Sequence, residues 1–258
     1  RLTDYSNSLC TWNPTNENVG HLFQRQAIPM VWDFVEANPL HGKLSFSVAT
    51  EWVAASLEGV PVQCSSARVV QCDARKQPPQ FDNPPVVSTD PPYFDNIGYA
   101  DLSDFFYVWL RLILRRIDQG AFATLLTPKE PELIASTHRH DGSEEAAERH
   151  FREGFALAFG NMHRIANRDI PITVYYAFRQ QEDDAGEYEN QRASTGWETM
   201  LEGLVETGFQ ITGTWPVRTT KKARSVARGT NALASAVVLV ARQRAASASM
   251  TTRKEFAA

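Results

Sequence analysis

Residues 86–99 read VVSTDPPYFDNIGY, a short β-branched run that stops at two prolines. The apolar start is typical of a buried strand, and the prolines lack the N–H groups that a strand ladder needs, so we expect the strand to end at Asp90. A proline also favours an extended conformation in the residue before it, which places Asp90 and Tyr93 on a stiff bend. Ligands of open α/β sheets bind at the carboxyl ends of the strands, where this bend is predicted to lie.

The residue types on this bend suit the binding of a flat amine. The Asp90 carboxylate and the Pro91 carbonyl can accept hydrogen bonds from an exocyclic NH2 group, and the Tyr93 ring can stack on the ring that bears it. Such contacts would hold the nitrogen lone pair toward a methyl donor, so that catalysis would depend mostly on positioning. The alternative interpretation is a proline-terminated strand followed by an ordinary loop.

The Asp-Pro-Pro-Tyr tetrapeptide at residues 90–93 resembles the catalytic motif of S-adenosylmethionine-dependent amino-methyltransferases, in which this form marks chiefly the adenine N6 enzymes that act on DNA. The longer run through Tyr107 and Trp109 is similar to the bacterial adenine-specific DNA methylases that carry a domain of unknown function at their N-terminus. The resemblance implies methyl transfer from S-adenosylmethionine to adenine N6 in DNA. It assigns the catalytic roles to Asp90, Pro91, Pro92 and Tyr93.

Other functions fit the same residues. A cytosine N4 or RNA adenine methyltransferase would bind its amine in the same way. Methylation of a protein glutamine also involves a flat amide, although Asn usually replaces Asp90 there. From a different class, the chain could be a non-catalytic nucleic-acid-binding module that has lost its cofactor site.

A cofactor site is indicated by the segment ARVVQCDA at residues 67–74, which predicts a strand that ends in an acid. In the family the strand before the catalytic one often ends in Asp-Ala, so the resemblance implies cofactor-binding roles for Asp73 and Ala74. The sequence contains no turn of the form Asp-Pro-Phe-x-Gly-x-Gly, with which these enzymes bind the methionine part. In the family that turn lies upstream, and the first residue here is Arg1, so we expect a C-terminal fragment whose full-length parent is the enzyme.

The composition is that of an ordinary globular protein. Of the 258 residues 43% are hydrophobic and 22% are charged, and the chain is long enough for one well-buried α/β domain or for a domain with an inserted subdomain. The net charge of −4 argues against nonspecific coating of nucleic acid but leaves room for a local basic groove. The three scattered cysteines indicate neither a zinc ribbon nor a disulfide framework, so reduced thiols and a cytoplasmic location are expected. No signal peptide or membrane-spanning segment is predicted.

Apolar residues recur at three- and four-residue spacing in five segments, which predicts helices, and compact apolar runs predict strands. The predicted helices cover residues 19–35, with a kink at Pro29, and residues 48–57, 102–117, 143–165 and 194–208. The predicted strands cover residues 67–74, 86–90, 170–178, 209–215 and 236–240. Short polar residues can cap two of the helices: Asp101 or Ser103 the helix over 102–117, and Ser194 or Thr195 the last one.

This order of elements predicts an α/β fold. The resemblance makes it a Rossmann-like, doubly wound methyltransferase sheet, mostly parallel with a C-terminal antiparallel strand and without its N-terminal strands. The apolar face of the helix over 102–117 is expected to pack on that sheet. We predict an N-terminal helical segment at 1–60, the C-terminal part of the catalytic domain at 61–245 with an inserted loop region at 118–150, and a tail at 246–258.

Contacts to DNA are expected from two loops. Asn96 and Tyr99 follow the motif at the point where a flipped base would enter. The loop over residues 219–231 carries four cations that could neutralise phosphates: Lys221, Lys222, Arg224 and Arg228. The family also implies partner proteins of a restriction or other defence system. No metal site is predicted, because His138 and His140 have no further Cys or His residues nearby to complete one.

Overall fold

A computed structural model describes residues 2–23, 28, 30–32, 34–61, 66–94, 97–177, 187–217, 236–245 and 247–248. The chain divides into two compact units, each built from two stretches of sequence. Unit 1 contains residues 1–70 and 99–129, and unit 2 contains residues 71–98 and 130–258.

The described residues of unit 1 form three helices and a small hairpin. Its elements are α1 (Leu2–Tyr5), β1 (Trp12–Asn13), β2 (Asn18–Val19), α2 (Phe46–Glu58) and α3 (Tyr99–Leu114). β1 and β2 pair antiparallel, with Trp12 opposite Val19. α2 confirms the helix predicted over residues 48–57, and Gly59 follows its last residue.

Unit 2 contains the larger sheet. Its elements are β3 (Ser88–Thr89), one turn of 3-10 helix (Thr137–Arg139), α4 (Glu144–Ile165), β4 (Ile172–Ala177), α5 (Glu187–Glu206), β5 (Phe209–Val217) and β6 (Ala236–Gln243). The strands lie in the order β3-β4-β6-β5. β3 pairs parallel to β4, and β6 pairs antiparallel to both β4 and β5. Three strands therefore run in one direction and the last strand runs against them.

These pairings confirm an α/β chain with a mixed sheet, in which the last strand is antiparallel as predicted. The strands expected over residues 170–178, 209–215 and 236–240 are present as β4, β5 and β6. The strand expected at residues 86–90 is present as β3, which is shorter. The Rossmann-like assignment stays a prediction.

The core of unit 2 forms between α4 and the sheet. On α4, Phe151, Phe155 and Phe159 are at most 2% exposed, as their four-residue spacing predicted. On β4 the alternate residues Ile172, Val174 and Tyr176 are buried in the same cluster. Ser143 caps α4, because its hydroxyl accepts a hydrogen bond from the Ala146 amide at 3.2 Å.

The helix predicted over residues 19–35 is wrong. Val19 ends β2, and no described residue between 20 and 35 is helical. Met30 and Phe34 are 85% and 57% exposed and Leu22 is buried outside any helix, so the three-four apolar spacing does not form one buried helical face. Pro29 removes a backbone donor from the middle of the segment, which opposes a continuous helix.

The strand predicted over residues 67–74 is also wrong. Residues 66–73 form no regular secondary structure, residues 74–76 form a turn, and Val69 is 96% exposed. An extended segment becomes a strand only when a neighbouring strand completes its hydrogen bonds. Two adjacent valines among polar residues do not provide a buried face that would favour such pairing.

Two helix boundaries differ from the prediction. α3 begins at Tyr99, before the predicted caps Asp101 and Ser103, and α5 begins at Glu187, before Ser194 and Thr195. Glu, Gln, Arg and Ala favour helix in the added turns of α5. The apolar face expected on α3 is largely exposed, because Leu112 and Ile113 are 66% and 70% accessible.

Two glycines of α4 allow a matched test of this packing. A Cβ atom added at Gly154 would lie 2.1 Å from Leu133 Cδ2, whereas one added at Gly160 would meet no atom within 4 Å. Leu133 is itself buried and has little room to move. We expect Gly154→Ala to lower the free energy of unfolding by about 1–3 kcal/mol through overpacking. Gly160→Ala should raise it by about 0.5–1 kcal/mol through helix propensity.

Urea unfolding of both variants, followed by circular dichroism, measures this difference. Equal midpoints for the two variants would contradict the close approach of Leu133 to α4.

Candidate functional site

The predicted amine-binding bend lies directly after β3. Asp90 follows the last strand residue and is exposed, while Tyr93 is half-buried. The Tyr93 hydroxyl donates a hydrogen bond to Asp90 Oδ1 at 2.7 Å. The two side chains singled out in the sequence therefore meet, and the carboxylate is oriented by a group of the same motif.

The strand that carries the bend is fixed by its neighbour β4. Ser88 lies opposite Thr173, and the Thr173 amide donates to the Val87 carbonyl at 3.0 Å. The Thr173 hydroxyl also donates to the Ser88 hydroxyl oxygen at 3.0 Å. The prolines then end the pairing, so Asp90 leaves the sheet at its carboxyl end as predicted.

Aromatic rings lie behind Tyr93. Its ring meets the Tyr176 ring edge-to-face, with centroids 5.3 Å apart and an interplanar angle of 78°. Tyr176 is 3% exposed and in turn lies 5.7 Å from the ring of Trp197 on α5. Aromatic pairs of this kind contribute about 0.5–1.5 kcal/mol beyond the area that they bury.

Phe94 connects the bend to the core. It is 5% exposed, and its ring packs edge-to-face on Phe151 of α4 at a centroid distance of 5.1 Å. Its carbonyl accepts a hydrogen bond from the Ala135 amide at 2.8 Å. The residue after the motif is thus held by both its side chain and its backbone.

Gly196 of α5 comes unusually close to Phe94. A Cβ atom at this position would lie 2.6 Å from Phe94 Cβ and 2.9 Å from Phe94 Cγ. The conflicting atoms belong to the base of the Phe94 side chain, which cannot rotate away. Only glycine therefore permits α5 to lie at this distance from the residue next to Tyr93.

Asp73, the predicted cofactor residue, is engaged by Arg75. The Arg75 Nε and one terminal nitrogen donate to the Asp73 carboxylate at 2.8–3.2 Å, and the Arg75 amide donates to Asp73 Oδ1 at 3.0 Å. The hydrogen bonds from Arg75 hold the pKa of Asp73 below its ordinary value, although burial opposes the shift. The carboxylate is 14% exposed. The hydrogen-bond donor to the Asp73 carboxylate, Arg75, belongs to the same turn and not to the 90–93 motif.

Ala74 lies in a turn that α4 holds in place. The Asn161 side-chain amide donates to the carbonyls of Ala74 and Lys76 at 2.7 and 2.5 Å. Because residues 66–73 form no strand, the expectation that Asp73 and Ala74 follow a strand end is not met.

The predicted DNA-binding residues have a mixed outcome. Tyr99 is 57% exposed, but it is the first residue of α3 and belongs to unit 1, whereas the 90–93 bend belongs to unit 2. Asn96 lies outside the described residues. So do the four cations of the 219–231 loop, Lys221, Lys222, Arg224 and Arg228.

Two histidines of the 118–150 region, His140 and His150, lie near each other. The rings of His140 and His150 are 5.1 Å apart, and His138 Nδ1 is 2.6 Å from the Ser136 hydroxyl. Burial, and then electrostatic interaction with His150 and Arg139, lowers the pKa of His140. Within the described part of the chain, no group of three or more His, Cys, Asp and Glu side chains is arranged to hold a metal ion.

Sequence reasoning missed Tyr176, Trp197 and Gly196 as neighbours of the motif. The strand prediction over residues 170–178 did not say which face Tyr176 lies on, and helical spacing placed Trp197 only among the apolar residues of its helix. Neither pattern indicates which side chains of other elements these two residues contact. Glycine inside a helical pattern was the one available signal of a close approach.

Comparison of the chain with protein-family models, with curated proteins and with solved structures found no match. None of the helices among the described residues has both the length and the apolar character required to cross a membrane.

The Asp73–Arg75 pair predicts a pH-dependent contribution to stability. Since the pKa of Asp73 is lowered on folding, the pair stabilises the fold above the ordinary carboxyl pKa of 3.8, and this contribution is lost as the pH falls through the lower folded-state value. Arg75→Gln should therefore lower the free energy of unfolding by about 1 kcal/mol at neutral pH. The difference from the wild type should narrow only below pH 3.8.

Urea unfolding at neutral and acid pH measures the effect, with Arg152→Gln as the control because Arg152 is exposed on α4. An Arg75→Gln variant that unfolds like the wild type at neutral pH would show that the pair does not stabilise the fold.

Proposed function

We propose that this chain acts in the transfer of a methyl group from S-adenosylmethionine to the N6 amine of adenine in DNA. The observation that carries the proposal is the bend at the carboxyl end of β3, where the exposed Asp90 carboxylate and the Tyr93 ring lie side by side. Its Asp-Pro-Pro-Tyr sequence resembles the motif of the amino-methyltransferases, and its position is the usual place for ligands of an α/β sheet.

Each residue of the motif has a role that its chemistry supports. An ionised carboxylate offers about four lone-pair sites. Asp90 can therefore accept both the Tyr93 hydroxyl and an adenine amine. The Pro91 carbonyl accepts the second amine hydrogen, Pro92 fixes the bend, and Tyr93 stacks on the flipped base. No strong base is needed if the proton leaves after methyl transfer.

The strand directions support the corresponding fold. β3, β4 and β5 run one way, and the last strand, β6, runs against them and pairs with β5. This is the pattern that the resemblance implies for the C-terminal half of a Rossmann-like, doubly wound methyltransferase sheet. We therefore include that fold in the proposal.

The cofactor site has weaker support. S-adenosylmethionine would supply the activated methyl group, with Asp73 and Ala74 proposed at its adenine end. Arg75 already occupies the Asp73 carboxylate, however, and the sequence has no glycine-rich turn for the methionine part. The described residues therefore do not fit the whole cofactor.

DNA is the proposed partner, and binding of phosphates is assigned to Lys221, Lys222, Arg224 and Arg228. Defence-system proteins are further proposed partners on the resemblance alone. Each phosphate contact adds to the salt dependence of DNA binding, so affinity should fall steeply as salt is raised.

Methyl transfer to DNA tests the proposal directly. The 258-residue chain, and the longest product of its reading frame that contains it, are incubated with labelled S-adenosylmethionine and unmethylated DNA. We expect label in N6-methyladenine after digestion to nucleosides. Asp90→Ala should lower the rate by at least about a hundredfold, because the group that positions the amine is lost.

Asp82→Ala is the matched control, since Asp82 is an exposed carboxylate in the same segment of unit 2. Label in N4-methylcytosine or in RNA would favour the alternative methyltransferases. DNA binding without transfer to any nucleic acid, by either protein, would favour a non-catalytic binding module.

A further inference from the structure

A row of aromatic rings connects the motif to α5. Tyr93 contacts Tyr176 edge-to-face, and Tyr176 contacts Trp197, with centroid distances of 5.3 and 5.7 Å. Tyr176 lies in the middle of the row and is almost fully buried. The first ring is thus supported by a second ring that cannot move without disturbing the core.

Tyr93 is fixed at two points. Its hydroxyl donates to Asp90 at one end of the side chain, and Tyr176 contacts its ring. A side chain that must stack on a flipped base loses less freedom on binding when its rotamer is already set. Because Tyr93 is only half-buried, its own burial does not set that rotamer.

Gly196 determines how closely helix α5, which carries Trp197, can approach the residues of the motif. It stands next to Trp197, and its Cα faces Phe94, which stands next to Tyr93. Any larger residue would push α5 and Phe94 apart, since a Cβ atom would lie 2.6 Å from Phe94 Cβ. The distance between Trp197 and the motif therefore depends on a glycine at this position.

We propose that Tyr176 and Trp197 are positioning residues that hold the Tyr93 ring for stacking on the adenine, at a distance set by Gly196. This inference rests on the proposed function, because it assigns residues to the same reaction. It adds a set of residues that the motif does not contain.

Kinetics of paired variants test the role in catalysis. Tyr176→Leu removes the supporting ring, Tyr176→Phe keeps it, and Tyr175→Leu makes the same change at a neighbouring residue that is 45% exposed. We expect Tyr176→Leu to lower kcat by about tenfold or more, because small misplacements of a reacting group are costly. KM for DNA should change less than kcat. Tyr176→Phe and Tyr175→Leu should retain the wild-type kcat.

The same experiment separates positioning from loss of fold. Circular dichroism and unfolding midpoints give the folded fraction of each variant, and Trp197→Leu provides a second change at a half-buried site. If kcat per folded molecule is unchanged in both Tyr176→Leu and Trp197→Leu, the inference is overturned.

A second readout does not depend on methyl transfer. Fluorine NMR of protein that contains 3-fluorotyrosine gives one signal for each of the seven tyrosines, and the Tyr93 signal is the one lost in Tyr93→Phe. Gly196→Ala keeps every ring, so a shift or broadening of the Tyr93 signal in this variant reports a displaced ring. Gly203→Ala, where the added Cβ would lie 3.4 Å from Phe159 Cδ2, should leave the signal in place.

The two readouts fail independently. A wild-type protein without methyl transfer contradicts the proposed function, while a shifted Tyr93 signal in Gly196→Ala still supports the positioning of the ring. A Tyr93 signal that is the same in Gly196→Ala and in the wild type overturns the positioning inference, whether or not methyl transfer occurs.

Discussion

The parallel pairing of β3 with β4 is the interaction on which the candidate site depends. β3 has only two residues in the ladder, Ser88 and Thr89, and the prolines after Asp90 prevent it from continuing. So short a strand has little stability of its own. It is held because Thr173 binds it through both its amide and its hydroxyl. The position of the Asp90 carboxylate is therefore set by a strand far away in the sequence.

Helix α5 supports the same bend from inside the core. Its Gly196 allows close contact with Phe94, and its Trp197 lies behind Tyr176. Phe94 also packs on α4. The bend thus combines the exposed Asp90 carboxylate with the buried side chains of Phe94 and Tyr176 behind it. This arrangement suits a carboxylate that must bind a ligand in a fixed orientation. An ordinary surface loop would be expected to move more freely.

Sequence patterns within a single segment predicted the elements whose form depends mainly on that segment. Proline chemistry located the end of β3, and the spacing of Phe151, Phe155 and Phe159 identified α4, because those side chains are in fact buried. The same helical spacing failed over residues 19–35, and β-branched residues failed over 67–74. In both segments the apolar pattern is present, but residues such as Met30 and Val69 remain exposed. The contact between Tyr93 and Tyr176 could not be predicted either, because a single sequence does not specify which side chains from distant segments will meet.

The most direct test of the account is whether Asp90 recognises the amine. The measurement is the affinity of the wild type and of Asp90→Ala for two oligonucleotides, one with adenine and one with purine, which lacks the 6-amino group. A hydrogen bond to a charged group contributes about 1.5–3 kcal/mol, which is roughly ten- to a hundredfold in affinity. We predict that the wild type prefers adenine by such a factor and that Asp90→Ala loses most of this preference, because only the neutral Pro91 carbonyl is left to accept from the amine. Equal binding of both oligonucleotides by the wild type would contradict the account.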